Sequence, residues 1–473
     1  MNVGNYPRIV ISGLSGDSGK TIISCGLLAY FKSKGFDVSG FKKGPDYIDA
    51  AWLSLASGKS ARNLDTFMMG HQKVLESFVK NASNKSINII EGNRGLFDGT
   101  DVKGTHSTSE LAKLLQSPVV IVQDVSKVTR TAAAVILGCK NLDPDLKIAG
   151  VILNNVAGER HEKIIRNSIE EMTGIPVIGA IPKLNDEFVL PSRHLGLITP
   201  SEFEQKNSFL KQIENIIEYN IDVQKILDIT NNVPQLKYDG TGLSEQDKNY
   251  KRANVKIGYF KDRAFSFYYP ENLEMLRAKG AKLIPISSTH NAYFDDLDAL
   301  YIGGGFPEMN LTYLTMNKGM IASIKKLAVD GLPIYAECGG LMYLAEEIFW
   351  KDKIYPLSGV LPIVINVNHK PQGHGYCEMR VDKENPFYKI GTVLKGHEFH
   401  YSKIYDHDPG IKSALSVSRG KGCFDGRDGL IYKNVFASYI HVHALATPEW
   451  VDGMIKSALK YKQLKSSHFI GIN

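Results

Sequence analysis

Residues 13–21 read Gly13-Leu14-Ser15-Gly16-Asp17-Ser18-Gly19-Lys20-Thr21, between an apolar run at residues 8–11 and a segment whose apolar residues recur at helical spacing. A strand, a glycine-rich loop, a Lys-Thr pair and a helix form a cradle for phosphate groups. Glycines let backbone N–H groups approach the anion, and the helix N-terminus adds its dipole. The stretch therefore predicts a nucleotide-binding α/β domain.

The loop also suggests roles for single residues. We expect the backbone of Gly16, Ser18 and Gly19 to hold the phosphates, while Lys20 reaches the β and γ oxygens and Thr21 ligates Mg²⁺. The spacing is one residue longer than in the strict form of this loop.

A regulatory ATPase of the partition type would carry a lysine five residues before Lys20, where this chain has Ser15. The loop therefore favours a catalytic role over that rival.

Short apolar runs alternate with helix-like stretches on both sides of a polar segment. The first half has such runs at residues 38–41, 87–90, 119–122, 148–153 and 177–181, and the second half at 255–260, 282–286, 299–302 and 332–335. This alternation predicts mainly parallel sheets covered by helices. We therefore expect a domain at residues 1–230, a linker at 231–253 and a second α/β domain at 254–473.

Polar residues follow the predicted strands of the first domain. Asp46, Tyr47 and Asp49 come after the second strand, Glu91 after the third, and Asp98 a few residues later. Parallel sheets bind ligands at the carboxyl ends of their strands, so we expect these side chains to handle substrate. The carboxylates among them are also candidates for completing the metal site with Thr21.

A further residue of this edge is a candidate nucleotide ligand. Asn154 ends another predicted strand and could read the adenine edge or cap a helix.

A second chemical signature lies in the other half, where residues 335–340 read Tyr-Ala-Glu-Cys-Gly-Gly. Cys338 follows an apolar strand and precedes a helix, with glycines where a tight turn needs them. A helix N-terminus favours the thiolate, so we expect a nucleophile. The other four cysteines are expected to be buried and inert.

A cysteine nucleophile needs a base and a site for the oxyanion. His441 is the candidate base, and on a strand His443 would point to the same face. Backbone N–H groups of Gly304, Gly305 and Gly339 are candidates for stabilising the oxyanion. The histidines at residues 397 and 400 are expected to be hydrogen-bonded structural groups rather than metal ligands.

Composition excludes several other classes of protein. Apolar residues make up 43% and charged residues 22% of the 473, the net charge is +6, and lysine and arginine form no long basic run. We therefore expect no nucleic-acid partner. The five cysteines contain no CxxC pair, no run reaches about 18 apolar residues, and the N-terminus lacks a signal-peptide pattern. We expect a cytoplasmic protein without a membrane partner.

The ordered series of motifs resembles the cobyrinic acid a,c-diamide synthase family over nearly the full length of the chain. The motifs are the phosphate loop, residues 42–49, 63–65, 91 with 95–99, 191–197, 264–269, 303–308, 338, 396–400 and 441.

The resemblance implies a dethiobiotin-synthetase-like P-loop domain followed by a class I glutamine amidotransferase domain of flavodoxin-like fold. Members of the family amidate carboxylates of tetrapyrrole-derived macrocycles with ATP, Mg²⁺ and glutamine. The resemblance implies that Lys42 meets the triphosphate together with Lys20 and Thr21, and that Asp46 and Glu91 help to hold Mg²⁺. It also implies that Cys338 attacks the glutamine amide with His441 as its base. The pair resembles a dyad, since His443 stands where a triad would have a glutamate. Analogy with related domains suggests a homodimer.

The resemblance leaves the macrocycle open. Corrin-directed members often have an apolar pair where this chain has Asn93 and Arg94, and the segment at residues 369–376 is polar. Cobyrinic acid is the first expectation, and sirohaem and nickel-sirohydrochlorin are the alternatives. A nucleotide-switched regulator with a relic glutaminase domain, or a tetrapyrrole metallochaperone, would be a protein of another class.

Overall fold

The structure is a computed structural model, and it describes residues 2–184, 192–193, 196–238, 253–290, 293 and 296–470. The chain divides into two compact units, Met1–Thr241 and Gly242–Asn473. Each unit is described below by itself.

The first unit alternates strands and helices along the chain. Its strands are β1 (Asn2–Gly4), β2 (Arg8–Gly13), β3 (Asp37–Lys43), β4 (Arg62–Leu64), β5 (Ser86–Gly95), β6 (Val119–Asp124), β7 (Ile148–Val156), β8 (Val177–Pro182), β9 (Ser192–Arg193), β10 (Gly196–Leu197) and β11 (Leu236–Tyr238). Its helices are α1 (Lys20–Ser33), α2 (Tyr47–Ser57), α3 (Thr66–Asn81), α4 (Thr108–Leu114), α5 (Thr131–Leu142), α6 (Glu159–Thr173), α7 (Lys206–Asn220) and α8 (Val223–Asn231).

Seven of these strands form one parallel sheet in the order β4-β3-β5-β2-β6-β7-β8. The sheet follows from the sequence, because its central strand β2 carries the apolar run Ile9-Val10-Ile11, which is fully buried. One core cluster combines residues of β2 with residues of α1, α2 and α7. The predicted parallel α/β fold is confirmed.

The predicted linker is only partly described. Leu236–Tyr238 pairs antiparallel with Asn2–Gly4, so this portion of residues 231–253 belongs to the first unit. Residues 239–252 lie outside the described residues. Of the motif at residues 191–197, the structure describes only the short β9–β10 pair.

The second unit combines parallel and antiparallel strands. Its strands are β12 (Val255–Phe260), β13 (Ala281–Ile286), β14 (Ala299–Ile302), β15 (Ile334–Glu337), β16 (Glu347–Trp350), β17 (Lys353–Pro356), β18 (Ile363–Val367), β19 (Gly373–Val381), β20 (Val393–His400), β21 (Ser402–His407), β22 (Lys412–Arg419), β23 (Arg427–Tyr432), β24 (Val435–Ser438) and β25 (His441–Val442). Its helices are α9 (Pro270–Ala278), a 3₁₀ turn (Pro307–Met309), α10 (Leu311–Met316), α11 (Lys318–Val329), α12 (Gly339–Leu344) and α13 (Pro448–Ile470).

Ten of these strands form one sheet in the order β13-β12-β14-β15-β24-β23-β22-β19-β20-β25. The first five run parallel, four of them as predicted and β24 in addition, and the rest pair antiparallel. The antiparallel part and the separate β17-β16-β18-β21 sheet were not predicted, because residues 347–432 mix polar and apolar positions without a clean alternation.

The described part of the chain contains no helix that combines the length and the apolar character needed to cross a bilayer.

Trp52 anchors the core of the first unit, and we expect Trp52→Ala to destabilise that unit by about 3–5 kcal/mol. The indole is fully buried, packs edge-on against Phe203 and Phe209, and donates its N–H to the Ile198 carbonyl at 2.9 Å. Urea unfolding measures the loss. Tyr219→Ala is the matched control, because Tyr219 is 83% exposed and its removal should change stability by less than about 0.5 kcal/mol. Equal effects of the two substitutions would contradict the expectation.

Candidate functional site

The glycine-rich loop joins the central strand to the first helix as predicted. β2 ends at Gly13 and α1 begins at Lys20, while Gly19 between them has a left-handed φ of 94° that favours glycine. The Lys20 ammonium donates to the Ser15 carbonyl at 2.7 Å and to the Ser18 hydroxyl at 3.2 Å. Lys20 therefore lies folded over its own loop.

Asn154 holds the loop from a neighbouring strand. It lies near the end of β7, and its amide donates to the Ser18 carbonyl at 3.0 Å. Gly16, at the tip of the loop, is exposed. The contact makes Asn154 a support of the loop, while its contact with adenine stays a prediction.

A buried charge cluster lies beside the loop. The Lys42 ammonium contacts the Asp49 carboxylate at 2.6 Å, Glu91 Oε1 at 2.9 Å and the Gly92 carbonyl at 3.1 Å. The Thr21 hydroxyl donates to the same Glu91 oxygen at 2.7 Å. The carboxyl end of β3 and the start of α1 thus converge on the Glu91 carboxylate, which lies within β5.

Burial sets the electrostatics of this cluster. Desolvation raises the pKa of Glu91 to about 7 despite the opposing charge of Lys42. Burial alone would lower the pKa of Lys42, but the charges of Asp49 and Glu91 raise it above its ordinary value. Burial and the nearby Lys42 charge lower the pKa of Lys20. Lys42 is therefore a permanent cation, while Glu91 can change its charge near neutral pH.

The remaining predicted residues of this edge make local contacts. Asp46 caps α2 by accepting from the Asp49 amide at 2.9 Å, and burial raises the pKa of Asp46 to about 6. Asp98 closes a turn by accepting from the Gly95 amide at 2.9 Å. Tyr47 is the first residue of α2. Their roles toward substrate stay predictions.

The donor set at this edge fits a magnesium ion. Glu91 is fully buried, and within the described residues its Oε2 atom has no hydrogen-bond partner, although the Thr21 hydroxyl and Lys42 satisfy Oε1. No group of three acidic, histidine or cysteine side chains suited to a metal occurs in the described ranges. A cation here would need phosphate and water oxygens as well, which is the usual preference of Mg²⁺.

In the second unit, Cys338 occupies the predicted strand–turn–helix elbow. It lies between β15 and α12 with a φ of 48° and a ψ of −99°, a combination that non-glycine residues rarely adopt. Its amide donates to the Ser438 carbonyl at 2.7 Å, and its sulfur lies 3.9 Å from the Phe399 carbonyl oxygen. Strain of this kind is typical of residues held in place for chemistry.

The predicted glycines surround the elbow. A methyl group on Gly339 would lie 3.1 Å from the Gly305 amide nitrogen, and one on Gly304 would collide with the His441 ring at Cε1. Of two consecutive glycines, Gly305 therefore lies against the turn after Cys338, and Gly304 lies against the His441 ring. The structure brings together the five residues predicted for thiol chemistry.

His441 has two further neighbours. The His397 ring stacks on it with centroids 4.8 Å apart and planes 16° apart, and His397 Nδ1 lies 3.3 Å from the Tyr269 hydroxyl. The second neighbour is Glu337, whose Oε2 atom lies 3.7 Å from His441 Nδ1. Sequence reasoning missed Glu337, although it directly precedes Cys338 in the quoted motif.

Two expectations about this site are wrong. Burial, followed by the charge of Glu308, raises the pKa of the Cys338 thiol instead of lowering it, and α12 has only six residues. The sulfur therefore needs a base to become a thiolate. Strand β25 ends at Val442, so strand alternation does not place His443, whose ring lies against Tyr269 with centroids 4.6 Å apart.

The other candidates of this unit lie in structural environments. His400 Nδ1 lies 2.7 Å from the Ser402 carbonyl oxygen, and its ring stacks on Tyr439. The cysteines at 25, 139, 377 and 423 are buried free thiols.

Comparison with known proteins gives both units a family. Residues 9–198 match the family described as CobQ/CobB/MinD/ParA nucleotide binding domain, and residues 256–449 match the CobB/CobQ-like glutamine amidotransferase domain. The cobyrinate a,c-diamide synthase of Magnetococcus marinus is 41% identical over 446 residues, which cover 94% of this chain and 95% of that protein. The enzyme of the same name from Archaeoglobus fulgidus is 39% identical, and the match covers 97% of this chain and 99% of that protein. The one from Dehalococcoides mccartyi is 40% identical, and the match covers 96% of this chain and 98% of that protein.

The chain belongs to the cobyrinate a,c-diamide synthase family. It is a glutamine-dependent ligase that joins a nucleotide-binding P-loop domain to a glutamine amidotransferase domain. The family predicted from the sequence motifs is thereby confirmed.

The packing of Gly304 against His441 predicts the effect of a Gly304→Ala substitution on glutamine hydrolysis. Gly304 has no left-handed φ, so alanine suits its backbone but its methyl group would displace the imidazole. We expect Gly304→Ala to reduce glutamine hydrolysis by about 100-fold or more, since small misplacements of catalytic groups cost that much. Gly138→Ala is the control, because a methyl group there has no neighbour within 4 Å. Ordinary glutaminase rates in both variants would contradict the prediction.

Proposed function

We propose that this enzyme uses ATP and glutamine to amidate the a and c acetate carboxylates of cobyrinic acid through an acyl phosphate. One observation carries the proposal: a single chain contains both a P-loop beside the Lys42–Glu91 cluster and the Cys338–His441 elbow. The relatives named cobyrinate a,c-diamide synthase support the choice of macrocycle.

In the first unit, a substrate carboxylate oxygen attacks the γ-phosphorus of ATP, and the bond to the β-bridging oxygen breaks to release ADP. Lys20 and Lys42 stabilise the charge on the transferring phosphoryl group. Thr21, Asp46 and Glu91 would hold Mg²⁺, which supplies further positive charge at the phosphates. The cluster is buried, so these electrostatic effects are stronger than they would be in water.

In the second unit, the sulfur of Cys338 attacks the side-chain amide carbon of glutamine while His441 takes the thiol proton. Backbone N–H groups of Gly304, Gly305 and Gly339 stabilise the oxyanion. The proton then passes from His441 to the leaving nitrogen, ammonia departs, and water hydrolyses the glutamyl thioester to glutamate.

Ammonia completes the reaction by attacking the acyl carbon of the acyl phosphate. Phosphate leaves, and the carboxylate has become a primary amide. Each amidation therefore consumes one ATP and one glutamine.

Mass spectrometry of the products tests the macrocycle directly. Cobyrinic acid, sirohaem and nickel-sirohydrochlorin are each offered with ATP, Mg²⁺ and glutamine, and the acid-to-amide mass change is followed at two positions. We expect turnover of cobyrinic acid to the diamide. If the enzyme amidates only one of the other two macrocycles, cobyrinic acid is rejected as the substrate but the proposed amidation reaction stands. If glutamine is hydrolysed in none of the three assays, a regulatory protein is favoured instead.

The division of labour predicts that Cys338→Ala abolishes glutamine-dependent amidation but keeps ammonia-dependent amidation at high ammonium concentration. The reason is that alanine removes only the nucleophile that liberates ammonia. Lys20→Ala is the matched variant, and it should lose both activities because both need the activated carboxylate. A folded Cys338→Ala protein without ammonia-dependent activity would contradict the proposal.

The raised pKa of Glu91 predicts that binding of Mg²⁺ and ATP releases a proton. A divalent cation favours the carboxylate, so a group with a pKa of about 7 in the free enzyme loses its proton on binding below that pH. Affinity should rise up to about tenfold per pH unit below pH 7 and level off above it. Calorimetry in two buffers of different ionisation enthalpy counts the protons.

Titration of preformed Mg·ATP is compared with titration of ATP in the presence of a chelator. Proton release of the same size with and without the metal would exclude Glu91 as its ligand.

A further inference from the structure

We propose that Glu337, the residue directly before the nucleophile, is the positioning residue that orients His441 and balances the positive charge it gains during thioester formation. The inference rests on the proposed glutaminase chemistry and deepens it, because it replaces a Cys–His pair by a Cys–His–Glu arrangement. Its carboxylate comes from strand β15 rather than from the segment that follows His441.

The segment after the histidine does not supply such a carboxylate. Two residues beyond His441 lies His443, whose Nε2 atom lies 3.5 Å from Glu271 Oε2. Its Nδ1 accepts from the Leu445 amide at 3.2 Å. His443 is thus paired within its own surroundings, and a carboxylate for His441 has to come from another element.

Glu337 meets that need with both of its oxygens held in place. It is fully buried, its Oε1 accepts from the Val442 amide at 3.2 Å, and its Oε2 accepts from the Tyr301 hydroxyl at 2.9 Å. Val442 is the neighbour of His441 in strand β25, so this bond fixes the carboxylate to the backbone that carries the imidazole.

The distance suits an interaction that tightens during the reaction. His441 Nδ1 and Glu337 Oε2 are 3.7 Å apart, within ion-pair range but longer than a hydrogen bond. Hydrogen bonds in unliganded active sites are often long and shorten when the reacting groups are engaged. With Nδ1 facing the carboxylate, Nε2 is the nitrogen left to take the thiol proton.

Charge burial gives a second, independent reason. A fully buried carboxylate is costly unless a cation pairs with it, and in the described part of the chain no lysine or arginine forms an ion pair with Glu337. An imidazolium at His441 would supply that partner only while the thiol proton resides on the ring. The interaction is therefore stronger in the reacting state than in the resting state, as catalysis requires.

The other contacts of the ring restrict it to this orientation. The His397 ring stacks on His441, and Gly304 leaves no space for a methyl group beside Cε1. Packing thus sets the ring plane, and the Glu337 carboxylate favours the tautomer that carries its hydrogen on Nδ1 rather than on Nε2.

The test uses the full-length Glu337→Gln variant, in which the amide keeps the shape and one acceptor oxygen but loses the charge. We expect kcat for glutamine hydrolysis to fall by up to about 10⁴-fold, the loss seen when the carboxylate of a serine-protease triad is neutralised. KM for glutamine, the melting temperature and ammonia-dependent amidation should change little. Glu337→Asp, which restores the charge at shorter reach, should recover part of the loss.

Glu271→Gln is the matched control, because it neutralises another buried carboxyl group, which lies beside His443. It should keep glutamine hydrolysis within about threefold of wild type. A loss in this control as large as in Glu337→Gln, or a Glu337→Gln loss that is equal with glutamine and ammonia, assigns Glu337 a structural role and overturns the proposal. If Glu337→Gln does not fold, the ratio of glutamine to ammonia activity in Glu337→Asp decides: a ratio below wild type supports the proposal, and an unchanged ratio overturns it.

The wild-type enzyme separates the two hypotheses. If it hydrolyses no glutamine at all, the proposed function fails. If it does so and Glu337→Gln is equally active, only the positioning role fails.

Discussion

The buried contact between Lys42 and Glu91 is the interaction on which the nucleotide site depends. Both side chains are removed from solvent, and Asp49, Thr21 and the Gly92 carbonyl complete the contacts of the pair. Burying two charges is costly, and such pairs are retained where they serve a purpose other than stability. Here the arrangement leaves one oxygen of Glu91 available and a permanent cation close to it.

The second unit also places ionisable groups in a buried site, around Cys338 and His441. Burial raises the pKa of the Cys338 thiol and so opposes the thiolate, while Glu337 Oε2 lies 3.7 Å from His441 Nδ1. In the proposed mechanism, moving the thiol proton to the imidazole would create a thiolate and a cation in a region shielded from water, where charges interact more strongly. Burial thus suppresses the idle nucleophile and strengthens the interactions of the reacting one.

Parallel topology explains why both sites form where they do. The phosphate loop, Lys42 and Cys338 lie at or just beyond carboxyl ends of parallel strands, and Glu91 lies within β5 in register with Lys42. Side chains distant in sequence meet there because neighbouring strands end at the same edge of the sheet. The apolar runs of the sequence were sufficient to predict these strands, and local patterns were sufficient to predict the loop and the elbow. The antiparallel strands between 347 and 432 escaped prediction because half-buried strands in a mixed sheet carry a weak pattern.

The sequence by itself determined the two α/β domains, the phosphate loop, the thiol elbow and the family, because these depend on local spacing and on ordered motifs. Only the tertiary structure decided the direction of the pKa shift of the Cys338 thiol and the side chains that contact the two histidines. Burial of Cys338 raised a thiol pKa that the helix argument had placed too low, and the end of strand β25 removed the alternation expected for His443. The approach of Glu337 to His441 spans 104 residues of sequence, and desolvation and long-range contact of this kind depend on the packing of all neighbours rather than on any local pattern.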